Sequence, residues 1–189
     1  MENQERGLFL HDVLCFAAEA HQGQLRKGSD TPYIAHPFEA AMILDEAGCD
    51  TEVIAAALLH DTLEDTAVTA EELEQRFGPA ILALVQWESE DKSLSWETRK
   101  QQTIDNLADA PFEALLVACA DKVSNLRSIK RDQGRIGEQL WQRFRRGREQ
   151  QAWYYGELVR VLAPLEDYEM YSELKELYRA VFSAEQADD

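Results

Sequence analysis

Cysteine is scarce in this 189-residue chain, and its three copies, Cys15, Cys49 and Cys119, form no CxxC or other close pair. That argues against a disulfide framework and a thiolate-bound structural zinc site, and predicts reduced cysteines packed among apolar neighbours in a cytoplasmic protein. Long apolar runs are also missing. The charged start, Met1 to Arg6, leads into only Gly7-Leu8-Phe9-Leu10 before His11-Asp12, so neither a signal peptide nor a membrane span is expected. No convincing run of alternating β-branched residues occurs, which argues against a sheet. Basic side chains are outnumbered, 19 against 36 acidic, for a net charge of −17. That balance disfavours nucleic acid and anionic membranes as partners.

What is present is helical periodicity, as in Val53, Ile54, Ala57, Leu58 and again in Leu116, Cys119, Val123, Leu126. The expected fold class is all-α, a single compact helical bundle over residues 1–183, followed by a tail, 184–189, that reads as disordered. Helices are predicted near 7–22, 37–48, 51–63, 70–77, 79–89, 96–108, 112–132, 137–163 and 166–182. Gly48 can end one helix and Asp50 cap the next, while Thr69 with Glu72 has the form of a capping box. Pro37, Pro79 and Pro111 each suit a first helical turn. Residues 24–35, with Gly28, Ser29, Asp30 and Pro32 close together, read as a surface loop leading to His36.

The negative average hides a reversal. Between Lys122 and Arg148 nine basic residues stand against only Asp132 and Glu138, so this segment carries +7. Such a concentration suits a small phosphorylated ligand, or it is a solvated basic helix face.

The residues with the most chemistry are Leu58-Leu59-His60-Asp61-Thr62-Leu63-Glu64-Asp65-Thr66, an apolar helix ending in four ionisable side chains. On a continuous helix, His60 and Glu64 lie one turn apart, as do Asp61 and Asp65. Burying a histidine with three carboxylates is costly unless a cation neutralises them, and imidazole with carboxylate suits a catalytic divalent ion. An adjacent His-Asp pair taken singly is more often structural, but two distant positions support this one. His36 stands at the mouth of a helix after the Gly/Ser loop, its alternative being a capping or core histidine. Asp121 is a carboxylate in the apolar stretch Ala118-Cys119-Ala120, its alternative being a salt bridge to a core Lys or Arg. From Asp121 the polar Ser124, Asn125 and Ser128 continue at helical spacing along one face. His21 and His11 read as structural, and Trp141 and Phe144 as core aromatics.

The strings Arg26-Lys27, Pro32-Tyr33-Ile34-Ala35-His36-Pro37, Ala56 through Thr66, Phe77-Gly78 and Ala120-Asp121-Lys122-Val123-Ser124-Asn125-Leu126-Arg127-Ser128 resemble, in order and spacing, the HD hydrolase domain of RelA/SpoT-type alarmone enzymes. They are most similar to its single-domain small alarmone hydrolases. The resemblance covers about residues 10–130 well. It implies an all-helical HD fold holding one divalent ion, usually Mn²⁺, at His36, His60, Asp61 and Asp121, with Glu64 and Asp65 as the catalytic acidic pair. Positions matching Arg26, Lys27, Asn125 and Ser128 line the nucleotide pocket in the family, and Lys92, Arg99 and Lys100 fall near the phosphates. The implied activity is 3′-pyrophosphate removal from (p)ppGpp or the adenosine analogue (pp)pApp, by a hydrolase without a synthetase. The implied partner is a small nucleotide, with self-association of the chain left open. The segment after Ile129 departs from the family, so a stacking aromatic there is not assigned. Two alternatives stand beside this reading: an HD enzyme for another nucleotide or phosphoester, and a nucleotide-binding module without turnover.

Overall fold

The computed structural model describes residues 3–183. Among them the chain forms ten α-helices: α1 (Asn3–Ala20), α2 (Ala35–Glu46), α3 (Thr51–Leu59), α4 (Thr62–Asp65), α5 (Ala70–Phe77), α6 (Pro79–Glu88), α7 (Trp96–Ala108), α8 (Phe112–Ile136), α9 (Arg148–Val161) and α10 (Glu169–Phe182). Two short 3-10 turns, Gly137–Arg143 and Ala163–Leu165, flank α9. No strand occurs among the described residues, so the all-α expectation holds. The expected tail at 184–189 lies outside the described residues. Among the described residues no helix is long and apolar enough to cross a membrane.

Helix α3 is the centre of the bundle. Every residue from Val53 to Leu59 is buried, and α1, α2, α6 and α8 surround it. Three consecutive alanines, Ala55 to Ala57, contribute little side-chain bulk, so neighbouring helices can approach this segment closely. Helix α8 is the long strut: its first half, Ala114 to Ala120, is wholly buried, and α2 and α10 pack along it. The two helices carry the His-Asp pair and Asp121 at the inner ends of their apolar runs.

The local signals act largely as expected. Gly48 adopts φ +72°, and the Cys49 N–H donates back to the Leu44 carbonyl at 3.0 Å, closing α2. Thr69 Oγ1 accepts from the Glu72 N–H at 3.2 Å. Asp50 holds the cap position of α3 without a side-chain bond to it. Pro79 opens α6, whereas Pro111 sits one residue before α8.

Two predicted helices are interrupted. The span 51–63 breaks at His60-Asp61, because side chains take the carbonyls that would continue the ladder. His60 Nδ1–H donates to the Ala57 carbonyl at 2.7 Å, and the Thr62 hydroxyl donates to the Leu59 carbonyl at 2.6 Å. The span 137–163 is instead a 3-10 turn, an extended link at Phe144, and α9. Gly137, at φ +58°, ends α8 in a conformation that other residues rarely adopt. The cysteine expectation also needs correction: Cys119 is buried and its thiol is pushed up to about 12 by burial, but Cys49 is half-buried and Cys15 is exposed.

Candidate metal centre and ligand cavity

Three parts of the fold bring the four sequence-distant residues together. The start of α2 supplies His36, the break after α3 supplies His60 and Asp61, and the middle of α8 supplies Asp121. His36 Nε2 lies 2.9 Å from Asp121 Oδ1 and 3.6 Å from Asp61 Oδ2. His60 Nε2 lies 3.1 Å from Asp61 Oδ2 and 3.6 Å from Asp121 Oδ1. Ligand atoms about 2.0–2.2 Å from a shared ion stand about 3 Å apart at right angles and about 3.5 Å apart at tetrahedral angles. The four-atom ring therefore has the dimensions of a divalent-ion site. The ligand atoms of His36, His60 and Asp121, all buried, lie within 4.8 Å of one another.

Hydrogen bonds fix which nitrogen faces the ring. The Ala57 carbonyl can only accept, so His60 keeps a proton on Nδ1 and turns Nε2 inward. That buried Nε2 has no aligned hydrogen-bond partner, which is costly unless a ligand or ion meets it. His36 is fixed through a relay: the Ser124 hydroxyl donates to Glu39 Oε2 at 2.8 Å and accepts from His36 Nδ1–H at 2.9 Å. Glu39 in turn receives Arg127 Nη1 at 3.3 Å. Such outer partners orient metal-binding imidazoles.

Electrostatics favour positive charge in the ring. Burial opposes a charge on both imidazoles; in His60 the Asp61 and Asp121 carboxylates outweigh it and raise the ring well above its usual range, whereas in His36 burial prevails and lowers it. Burial alone would raise Asp61, but His60 holds it below the usual carboxylate range. Asp121 also makes the alternative contact weighed from sequence. Its Oδ2 pairs with Lys122, a partly buried lysine that reaches Glu88 at 3.5 Å, while its Oδ1 faces the histidines and accepts from Asn125 Nδ2 at 2.6 Å. The salt bridge and the ring share one carboxylate.

The acidic pair lies beside the ring. Tyr33 supplies the link: its hydroxyl donates to Asp61 Oδ2 at 2.8 Å and approaches Asp65 Oδ2 at 3.4 Å. Burial and Asp61 raise the Tyr33 phenol, keeping it a donor. Lys92 bonds Asp65, donates to the Glu64 carbonyl at 2.9 Å and stands 3.4 Å from Glu64 Oε1. Burial pushes the Glu64 carboxyl above its ordinary range despite that lysine. Tyr33 was legible as part of a motif, not as this bridge.

A cavity of about 630 Å³ opens from His36. Arg26, Lys27, Asn125 and Ser128 line it, as expected for a ligand pocket, and Arg26 Nη2 donates to Asn125 Oδ1 at 3.0 Å. Tyr33, Glu39, Phe144 and Tyr155 also line it. Lys92, Arg99 and Lys100 do not: Lys92 faces the acidic pair, while Arg99 and Lys100 each reach Glu90 at 2.7 Å. Trp141 is buried in the core against Phe144 and Phe182. His21 sits behind Tyr33, with Nδ1 2.9 Å from Gln24 Oε1.

Comparison with known proteins places these features in context. The HD domain family model matches residues 14–149. A guanosine-3′,5′-bis(diphosphate) 3′-pyrophosphohydrolase of Danio rerio is 46% identical over 125 residues, covering 65% of this chain and 69% of that protein. A solved metazoan orthologue of SpoT, described as hydrolysing ppGpp and acting in starvation responses, matches 90% of this chain and 94% of its own at 32% identity, with a TM-score of 0.76. A Listeria monocytogenes EGD-e protein matches 79% of this chain and 99% of its own at 35% identity, with a TM-score of 0.74.

Proposed function

This chain belongs to the HD domain family, and from that premise we propose that it is a metal-dependent 3′-pyrophosphohydrolase of nucleotide alarmones, taking (p)ppGpp or (pp)pApp. The observation that carries this reading is the ring of two oriented imidazoles and two carboxylates beside an acidic pair, with His36 of that ring opening on a cavity that Arg26, Lys27, Arg131, Arg135 and Arg143 help to line. A relative with 46% identity bears the name of this activity for the guanosine substrate.

His36, His60, Asp61 and Asp121 would hold the ion, which we propose to be Mn²⁺; the imidazole and carboxylate donors, without thiolate, suit it. Bound there, a divalent ion polarises phosphoryl oxygens and acidifies water. The remaining work falls to the chain's own side chains. Glu64 takes the proton of the attacking water, and its raised pKa makes it a stronger base than an ordinary carboxylate. Asp65, anchored by Tyr33 and Lys92, orients that water. The water oxygen bonds to the phosphorus that carries the 3′ oxygen, that phosphorus–O3′ bond breaks, the 3′ oxygen takes up a proton from solvent to become a hydroxyl, and pyrophosphate departs from a nucleoside 5′-di- or triphosphate. Arg26 and Lys27 offset the substrate's charge from the cavity wall.

The same proposal takes residues 1–183 as a single hydrolase domain acting in the cytoplasm on a free nucleotide. The chain's net charge of −17 disfavours nucleic acid and anionic membrane partners. Incubating the purified chain with ppGpp, pppGpp and pppApp, with and without Mn²⁺, tests the reading. Metal-dependent pyrophosphate release is expected, and none from any of the three overturns it.

A further inference from the structure

The cavity extends well beyond the metal ring. Its wall on α8 runs from Ser124, the partner of His36, to Arg135, eleven residues on, which is about 16 Å at the helical rise. The inner part of that wall is polar and uncharged, with Ser124, Asn125 and Ser128. The outer part is basic, with Arg131 and Arg135 from α8 and Arg143 from the 3-10 turn that follows.

Three other cations of this basic segment are already committed. Lys122 is held by Asp121 and Glu88, Arg127 by Glu39 and Glu173, and Arg146 by Glu97. Arg131 and Arg135 are exposed and form no ion pair among the described residues. Arg143 is held in place from two sides. Its Nη1 donates to Asp132 Oδ2 at 2.8 Å, and its stem crosses Gly28 so closely that a Cβ there would stand 2.6 Å from Nε. Gly28, at φ +74°, holds a backbone conformation that favours glycine, and the Arg143 side chain lies across it. Lys27 Nζ lies 5.5 Å over the Phe144 ring, joining the same two segments at the cavity mouth.

We infer that Arg131, Arg135 and Arg143 form a clamp for the 5′-phosphate chain of the nucleotide, giving preference to 5′-tri- and diphosphates over 5′-monophosphates. The inference rests on the alarmone reading for its orientation. If the 3′-pyrophosphate lies at the ring and the base and ribose beside Asn125 and Ser128, the 5′ chain extends toward the arginine end. Guanidinium groups match phosphate oxygens in pairs, and two that form no ion pair among the described residues, Arg131 meeting the Ser128 hydroxyl at 3.5 Å, supply with a fixed third the donors that a longer phosphate chain uses. In a chain of net charge −17, such a local reversal is what lets a polyanion enter.

The test compares wild type with Arg131→Gln/Arg135→Gln, and with Lys130→Gln/Arg145→Gln as a control of equal charge at exposed positions outside the cavity. With pppGpp and ppGpp, the clamp variant should raise KM on the order of ten-fold or more at nearly constant kcat, while the 5′-monophosphate substrate pGpp changes less than about three-fold. The control should keep the wild-type ranking. Equal losses on all three substrates, or the same effect in the control, overturn the clamp. A titration with GTP and GMP separates the two ideas. Preference for GTP that the clamp variant loses supports the clamp even if no alarmone is cleaved, whereas alarmone cleavage with equal GTP and GMP affinities sinks the clamp alone.

Discussion

Two groups of ionisable side chains lie within electrostatic reach of Lys122, and they differ in whether their charges are already matched. Around Glu90 the charges are matched, although Arg99 Nε is buried without a hydrogen-bond partner: Arg99 and Lys100 each reach Glu90 at 2.7 Å, and the Thr103 hydroxyl donates at 3.0 Å. Lys100 also lies 4.8 Å over the Tyr154 ring. Around Asp61 and Asp121 the matching is incomplete: His60 Nε2 is a buried nitrogen with no aligned partner, and two carboxylates face it. Both groups contain residues that the family resemblance assigns to the site. The difference teaches that a charge in a site-like segment is functional only where its neighbours leave it something to bind, since a satisfied buried pair needs no ligand and a frustrated one does.

The largest effect should come from removing a ring carboxylate. Asp61→Ala is the cleaner choice, because Asp121→Ala also takes a partner from the partly buried Lys122 and invites a folding penalty of about 3–5 kcal/mol. Bound metal should disappear by elemental analysis, and turnover should fall at least about 10³-fold, with thermal unfolding still cooperative. Retention of stoichiometric metal in Asp61→Ala would remove the open cluster from the comparison.

Next in size, Glu64→Gln should keep the metal and lose about 10²–10⁴-fold in kcat. A general base works deprotonated, so the wild-type rate should rise with pH through a pKa above the ordinary 4.5, because burial raises this carboxyl. The acid limb should vanish in the variant; an unchanged pH profile would reassign the proton transfer.

Much of this contrast could be read from residue types, and part could not. The bundle was legible because apolar residues recur at helical spacing through α3 and α8. The ring was legible because carboxylates and imidazoles inside apolar stretches demand compensation. The interruption at His60 was hidden, since it depends on one ring and one hydroxyl choosing backbone carbonyls over solvent. Hidden too was the sorting of the basic segment. Composition counts Arg127 and Arg131 alike, yet one is tied to Glu39 and Glu173 while the other lines the cavity. Tyr33 illustrates the same limit: its place in the motif was visible, but not that its hydroxyl spans from Asp61 toward Asp65.

A smaller effect probes the outer support of the open cluster. Ser124→Ala removes the acceptor of His36 Nδ1–H and the donor to Glu39, so metal affinity measured by competitive chelation should drop about 10–100-fold. Ser124→Thr should restore most of it, because a hydroxyl returns. Unaltered affinity in Ser124→Ala would show that ring packing alone orients His36.

The smallest effect tests the closed cluster and thereby the comparison itself. Burial works against the charge on Glu90, but Lys100 and its other partners hold the carboxyl below its ordinary range. A carboxyl lowered on folding stabilises the protein fully above its unfolded value near 4.5, and this contribution fades as pH falls through the lower folded value. Glu90→Gln should therefore cost about 1–3 kcal/mol by denaturant unfolding at pH 7. The gap to wild type should narrow below about pH 4.5. Turnover per folded molecule should change less than about three-fold, because Arg99 and Lys100 are held by Glu90 rather than by substrate. If stability stays level while KM for ppGpp rises sharply, those two cations belong with the open cluster, and Glu90 serves to aim them at phosphate.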